Sequence, residues 1–185
     1  MVLKKVFLED DTKENVLPLI THRLPWLFIG LVGGIIATVF ASSFEKLLET
    51  RVELAFFIPV IVYMADALGT QTETIFVRNI SKNNLNFTTY LIKESLLGIV
   101  VGTLFGIITG LFTYYFFKSL DIALTIALSL ALTMSIAPLI ALSVSALLYK
   151  EHKDPALGGG PFTTIIQDLL SLLIYFLIAS LVILK

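Results

Sequence analysis

The sequence lacks cysteine and is poor in histidine and in charge. Its 185 residues contain no cysteine, which excludes disulfides and thiolate metal sites. The two histidines, His22 and His152, lie beside hydrophobic segments rather than inside them. Charged residues make up 15% of the chain, against about 25% in an average soluble domain. No nucleophile–base pair or phosphate-binding loop is found, so we expect neither an enzyme nor a nucleic-acid partner.

The residues that are abundant are apolar. Hydrophobic residues form 57% of the chain, and the mean hydropathy is +0.93. A domain of this size leaves much of its surface exposed, so it cannot hide this many apolar residues in a core. The medium that surrounds them must therefore be lipid. Crossing a bilayer takes roughly 20 mostly apolar residues, and five runs qualify. The predicted fold is therefore an all-α membrane bundle with five transmembrane spans, at 26–44, 54–68 with a polar continuation to 78, 90–117, 122–149 and 162–184.

The distribution of Lys and Arg predicts the orientation in the plasma membrane. With the N-terminus inside, the cytoplasmic segments would carry nine cations: Lys4, Lys5, Lys13, Arg23, Arg78, Lys82, Lys93, Lys150 and Lys153. The opposite side would carry four: Lys46, Arg51, Lys118 and Lys185. The positive-inside rule then places the N-terminus in the cytoplasm and the C-terminus outside. Residues 1–24 are predicted to be a short cytoplasmic segment, in which 16–20 form either an interfacial helix or a simple leader, and 25–185 the transmembrane domain.

Small residues in the third and fourth spans indicate close helix packing. The third span has a glycine every four residues: Gly98, Gly102, Gly106 and Gly110. The fourth span offers a matching surface: Ala137, Ala141 and Ser145, extended by Thr125, Ser129 and Thr133. We interpret both as scaffold, with a glycine-lined pore wall as the alternative.

A carboxylate, Asp168, lies inside the fifth span. It follows Pro161 by seven residues, or about 10 Å of helix, and Thr164, Ser171 and Tyr175 share its face. A carboxylate facing lipid costs a few kcal/mol or more, so it must face protein or water. No Lys or Arg within this span can pair with it. We therefore interpret Asp168 as functional; a buried Asp that is protonated or satisfied by hydroxyls is the alternative.

The second span carries another acidic stripe. Asp66, Thr70 and Glu73 stand at i, i+4 and i+7, and Pro59, one heptad earlier, lacks a backbone donor and frees a carbonyl. Gly69 allows an ion or a neighbouring helix to come close. The alternative is that this end of the helix is simply solvated, with Glu73 near the lipid headgroups.

Together these two faces predict a path for a cation. Oxygen ligands without Cys or in-span His favour hard ions such as Mg²⁺, Ca²⁺ or Na⁺. Mg²⁺ sheds water reluctantly, so a fitting site would bind the hydrated ion through a few carboxylates and hydroxyls. One Asp168 carries too little charge for a divalent ion, whereas two copies across a twofold axis would match it. A homodimer is therefore expected.

The sequence resembles the transmembrane domain of the MgtE family of magnesium transporters, which is related to eukaryotic solute carriers for Mg²⁺. The resemblance lies in the order and spacing of short segments over nearly the whole chain: Arg23-Leu24-Pro25-Trp26-Leu27, Phe44-Glu45, Phe57-Ile58-Pro59, Gly69, Gln71, Thr74, Arg78, Asp154-Pro155-Ala156, Gly160-Pro161, Thr164, Asp168 and Tyr175-Phe176. It implies a five-helix subunit that dimerises, with an ion path near the twofold axis lined by the second and fifth spans. It also implies that Asp168 contributes to a central site for hydrated Mg²⁺.

The sequence departs from the family pattern in two ways. Bacterial members usually carry cytoplasmic sensor and CBS domains, and none is expected within these 185 residues, so a separate soluble regulator is a candidate partner. The family often has Gly-Asn-x-Gly-x-Gln in the second span, where this chain has Asp66-Ala67-Leu68-Gly69-Thr70-Gln71. Three hypotheses follow: a Mg²⁺ channel or transporter, an exporter coupled to Na⁺ or H⁺, and a non-transporting subunit of a larger Mg²⁺ system.

Overall fold

A computed structural model describes residues 15–80, 86–151 and 155–184, with side chains in the last range from residue 159. These parts are helical. The helices are α1 (Val16–Ser42), α2 (Glu45–Thr50), α3 (Glu53–Ile80), α4 (Phe87–Phe117), α5 (Leu120–Lys150) and α6 (Pro155–Ile183). All except α2 are long and apolar enough to cross a membrane. The predicted all-α fold with five spans is confirmed for the described residues.

The first helix is longer than the predicted span. α1 begins at Val16 and continues through Pro25 to Ser42 without a break. Residues 16–20 are therefore the first turns of α1 and form no separate interfacial helix. Residues 1–14 of the predicted N-terminal segment lie outside the described residues.

α5 is the central helix of the bundle. It packs against α4, α6 and α3, while α6 also packs against α3 and α1. One face of α5 is fully buried in the apolar core through Ile122, Ile126 and Leu130, which meet Leu54 and Ile61 of α3. α1 lies at the periphery, and most of its side chains are exposed. Exposure of this kind is expected for side chains that face lipid.

The glycine face of α4 packs against α5, as predicted, but on a different surface of that helix. A Cβ at Gly102 would lie 2.7 Å from the Ala131 carbonyl oxygen, and one at Gly106 would lie 2.5 Å from the Ala127 carbonyl oxygen. The predicted Ala137–Ala141–Ser145 surface is wrong as the partner. It lies on the side of α5 that packs against α3 and α6; the Ala137 carbonyl, for example, accepts a hydrogen bond from α6. Ala123, Ala127 and Ala131 share the same four-residue spacing, so spacing alone cannot choose between the two surfaces.

Hydroxyl groups in the spans mostly bond to their own helix. Thr113, Thr125 and Ser135 donate to the carbonyls four residues earlier, at 2.7, 2.8 and 2.6 Å. This satisfies polar side chains where lipid offers no partner. A hydroxyl that bonds to another helix therefore indicates a specific contact between the two helices.

The start of the fifth span differs from the prediction. Residues 155–160, which precede the predicted span at 162–184, are helical, so Pro161 lies inside α6. Pro155 has no backbone N–H and fits the first position of a helix. The absence of a side chain at Gly159 leaves room for the Glu73 carboxylate, which occupies the place where a Cβ would stand. Asp154, part of the family resemblance, lies outside the described residues.

Candidate cation site

Asp168 lies close to the midpoint of α6. Thirteen residues of the helix, or about 20 Å, precede it, twice the predicted depth because α6 begins earlier. The side chain is half-buried and faces a groove of about 380 Å³ between α1 and α6. The groove is lined by Leu27, Gly30, Gly34, Pro161, Thr164, Ile165 and Asp168. Asp168 is therefore neither sealed in the core nor fully exposed, and it lines an open groove.

A hydrogen bond joins this groove to the second acidic stripe. The Thr164 hydroxyl donates to Oδ1 of Asp66 over 2.9 Å, one of the few hydroxyl bonds between helices. Asp66 is half-buried in α3 and is close enough to Asp168 to interact with it electrostatically. Three of the four predicted metal-binding residues, Asp168, Thr164 and Asp66, thus lie together.

The fourth predicted metal-binding residue, Glu73, lies elsewhere. It is only 8% exposed, and its carboxylate packs against Gly159 of α6. The Thr163 hydroxyl lies beside it, although that hydroxyl makes no hydrogen bond of good geometry. Glu73 is not among the residues that line the groove. The heptad spacing placed Asp66 and Glu73 on one stripe, but the neighbouring helices enclose only the Glu73 end.

Gly69 permits a close contact between α3 and α6. The Gln167 amide occupies the position that a Cβ at Gly69 would take. Gln167 is 1% exposed, and its Nε2 donates to the Ala137 carbonyl of α5 over 3.0 Å. Of the two predicted occupants of the space at Gly69, an ion or a neighbouring helix, the structure shows the neighbouring helix. Gln167 was missed from sequence, although a lone amide in an apolar span is a usable signal.

Ser171 and Tyr175 do not line the groove with Asp168. Both are buried, and the Tyr175 hydroxyl donates to the Leu54 carbonyl over 2.7 Å. At this level, Phe44 stacks on Phe176 with ring centroids 4.3 Å apart and covers α6. The face of α6 is therefore open at Asp168 and closed one to two turns later.

The other predicted pore residues have varied surroundings. Thr70, Gln71 and Pro59 are exposed on α3. The position of a Cβ on Gly160 has no neighbour within 4 Å. Pro59 has no backbone N–H to donate to the Ala55 carbonyl. The Tyr175 hydroxyl bonds to a different carbonyl, that of Leu54. None of these four residues is among those that line the groove with Asp168.

The groove wall supplied by α1 was missed from sequence. Gly30 and Gly34 line it, and a Cβ at Gly34 would have open space around it. Between them, Gly33 packs directly against Ile165 and brings α1 onto α6. The Gly30-x-x-Gly33-Gly34 spacing in the first span was a signal for this close approach.

The ligands that the groove presents are carboxylate and hydroxyl oxygens. Within the described ranges, no group of three or more His, Cys, Asp or Glu side chains comes together to hold a metal ion. Such a sparse set of oxygens suits a hard ion that keeps much of its water, as Mg²⁺ does. Five helices that can cross a membrane, with carboxylate and hydroxyl oxygens in a groove between two of them, are the features expected of a membrane protein that handles hard cations.

Comparison with known proteins identifies the family. The family model described as "MgtE: Divalent cation transporter" matches residues 58–178, which include α3 from its second turn and α6 to near its end. The chain belongs to the MgtE family of divalent cation transporters.

Curated relatives match most of the chain. The magnesium transporter MgtE of Bacillus subtilis is 34% identical over 173 residues, covering 92% of this chain and 38% of the relative. The Enterococcus faecalis magnesium transporter MgtE is 31% identical over 174 residues, covering 92% and 38%. The Thermus thermophilus magnesium transporter MgtE is 27% identical over 162 residues, covering 86% and 36%. The chain thus spans well under half the length of these relatives.

Proposed function

We propose that the chain forms a homodimer in the plasma membrane and transports Mg²⁺ along the dimer axis. The ion passes, hydrated, between the two Asp168 carboxylates, and α3 and α6, the second and fifth spans, line its path. The N-terminus lies in the cytoplasm and the C-terminus outside. The names of the relatives, all magnesium transporters, support the choice of ion.

One observation carries the proposal: a mid-helix carboxylate that faces out of the subunit into an open groove. Facing lipid, this charge would be costly. Facing its symmetry mate, it would provide two negative charges for one divalent ion. The single subunit does not gather three acidic ligands among its described residues. This agrees with a site that is completed by a second copy and by the water of the ion.

Asp66 and Thr164 support Asp168 in this arrangement. Their hydrogen bond fixes Thr164, one turn before Asp168, and holds a second carboxylate near the path. Hydroxyl and carboxylate oxygens at this level accept hydrogen bonds from the water shell of Mg²⁺. Binding through that shell avoids the high cost of dehydrating the ion.

The decisive experiment is Mg²⁺ flux into proteoliposomes that contain the purified protein. Asp168→Asn should abolish flux while leaving the dimer intact on size-exclusion chromatography. Asp121→Asn, which makes the same chemical change at an exposed residue in the first turn of α5, should keep wild-type flux. Full flux in Asp168→Asn would refute the proposal.

The same preparation separates the alternatives. If Mg²⁺ flux follows only its own electrochemical gradient and ignores an imposed Na⁺ or pH gradient, a coupled exporter is excluded. Flux by the purified chain alone excludes a non-transporting subunit that depends on a soluble regulator.

A further inference from the structure

A second polar cluster lies inside the subunit, near the end of the bundle where α3 and α5 end and α6 begins. It contains Glu73 of α3, Ser145 of α5 and Thr163 of α6. Their side chains are 8%, 0% and 2% exposed. Gly159, the α6 residue against which Glu73 packs, lies nine residues before Asp168, or about 14 Å along the helix. None of the three side chains is among the residues that line the groove, so the cluster is distinct from it.

The three side chains converge on one point. The Glu73 carboxylate packs against Gly159, and the Ser145 Oγ lies 3.7 Å from the position that a Cβ of Gly159 would take. The Thr163 hydroxyl lies beside the same carboxylate. Gly159 thus leaves room for oxygen atoms from three helices.

The hydroxyls of this cluster lack the hydrogen bonds expected of buried groups. Neither Ser145 Oγ nor Thr163 Oγ1 has a hydrogen-bond partner, whereas Thr113, Thr125 and Ser135 bond to their own helices. Buried polar groups are nearly always satisfied, so an exception needs an explanation. Two such hydroxyls beside one buried carboxylate have lone pairs that a common ligand can use.

The charge of the cluster indicates which ligand fits. The described neighbours of the Glu73 carboxylate are Gly159, Ser145, Thr163 and, at longer range, Asp66, and none is a cation. A buried unpaired carboxylate is costly, and a second negative charge nearby adds to that cost. One monovalent cation neutralises Glu73, which is the one carboxylate among the three described side chains of the cluster.

We propose that Glu73, Ser145 and Thr163 form a binding site for a hard monovalent cation, Na⁺, inside each subunit and separate from the Asp168 groove. Hard cations take carboxylate, hydroxyl and carbonyl oxygens. The carboxylate and hydroxyl oxygens that lie together beside Gly159 are arranged to bind such an ion between them. The site goes beyond the proposed Mg²⁺ path and does not depend on it.

The test measures stabilisation of the purified full chain by Na⁺. At constant ionic strength, replacing choline with Na⁺ should raise the Tm of the wild type by roughly 3–6 °C, and K⁺ should have less effect. Glu73→Gln should reduce this Na⁺-specific shift to less than about 1 °C. Glu49→Gln, the same change at an exposed residue of α2, should keep the full shift. Radioactive Na⁺ should bind at one ion per subunit.

Further variants keep the test decisive if Glu73→Gln fails to fold. Thr163→Val, which keeps the side-chain shape, and Ser145→Ala should each weaken the apparent Na⁺ affinity by about 5- to 10-fold, the loss expected for one oxygen ligand. The absence of a Na⁺-specific shift in the wild type would overturn the proposal, since a proton or a water molecule would then occupy the cluster. An unchanged affinity in both variants would overturn it as well.

Asp168→Asn separates this inference from the proposed function. That variant should lose Mg²⁺ flux but keep the Na⁺ shift. If it conducts normally while Na⁺ still stabilises the protein, the axial path is refuted and the Na⁺ site stands. If flux is lost but no Na⁺ shift exists in any form, the Na⁺ site is refuted and the axial path stands.

Discussion

The Thr164 hydroxyl donates a hydrogen bond of 2.9 Å to Oδ1 of Asp66 and so joins α6 to α3 one turn before Asp168. Most other hydroxyls in the spans bond within their own helix. This bond therefore helps to fix the position of α6 relative to α3, the two helices that carry Asp168 and Asp66.

Removing that bond should impair Mg²⁺ transport more than stability. Thr164→Val leaves Asp66 without its donor, at a cost of about 1–2 kcal/mol, so the apparent affinity for Mg²⁺ in proteoliposome flux should fall roughly 5- to 30-fold. Thr125→Val is the control, because this buried hydroxyl bonds only to Asp121 of its own helix. Equal affinities in the two variants would show that the Asp66–Thr164 bond plays no part in transport.

The predicted twofold axis can be tested with one introduced cysteine, since the chain has none. A Cβ at Gly34 meets nothing within 4 Å and faces the Asp168 groove. We expect Gly34→Cys to be cross-linked to a dimer by a short bifunctional maleimide in membranes. Leu111→Cys, on the exposed face of α4, should stay monomeric on the same gel. The reverse pattern would place the dimer contact on another face.

The α4–α5 contact should not tolerate a methyl group. At Gly106, a Cβ would stand 2.5 Å from a backbone oxygen, that of Ala127, and backbone cannot rotate away. Gly106→Ala should lower the free energy of unfolding by about 1–3 kcal/mol. Gly160→Ala, where a Cβ has open space, should be neutral or slightly stabilising because alanine favours helix. Thermal unfolding in detergent compares the two, and an equal Tm would contradict the packing described.

Gly69 and Gln167 should be energetically coupled. Gly69→Ala forces the Gln167 amide out of its place and away from the Ala137 carbonyl. We expect a loss of about 1–3 kcal/mol in the wild type. In a Gln167→Ala background the same change should cost little, because the obstructing amide is gone. A double-mutant cycle of unfolding free energies measures the coupling, and additive effects would show that the two side chains do not meet.

The sequence predicts the spans well because hydropathy and length are local properties. It also identified Asp168 and Asp66, since a charge in an apolar run needs no packing information to be recognised. The start of α6 was missed because glycine and proline at 158–161 are typical of a loop, and the approach of Glu73 to Gly159 is a tertiary contact that the local sequence does not show.

Pairings between helices were harder to predict. The stripe of Asp168, Ser171 and Tyr175 is continuous on the helix, yet its later part is buried, and Tyr175 bonds there to Leu54, a residue remote in the sequence. The partner surface on α5 was assigned wrongly because two of its faces have small residues at the same spacing. Which face of α5 meets α4 depends on where α3 and α6 lie. The spacing of small residues along α5 does not show this.

The carbonyl–glycine contacts between α4 and α5 also limit how the sequence can change over evolutionary time. Along the lipid-facing sides of α4, one apolar side chain can replace another with little consequence, because hydrocarbon adapts to any shape. At Gly102 and Gly106 the space between the helices is already taken by backbone oxygens. Every residue has a backbone oxygen, so no substitution on the facing helix removes it. Variation in this helix is therefore free on one side and nearly forbidden at every fourth position on the other.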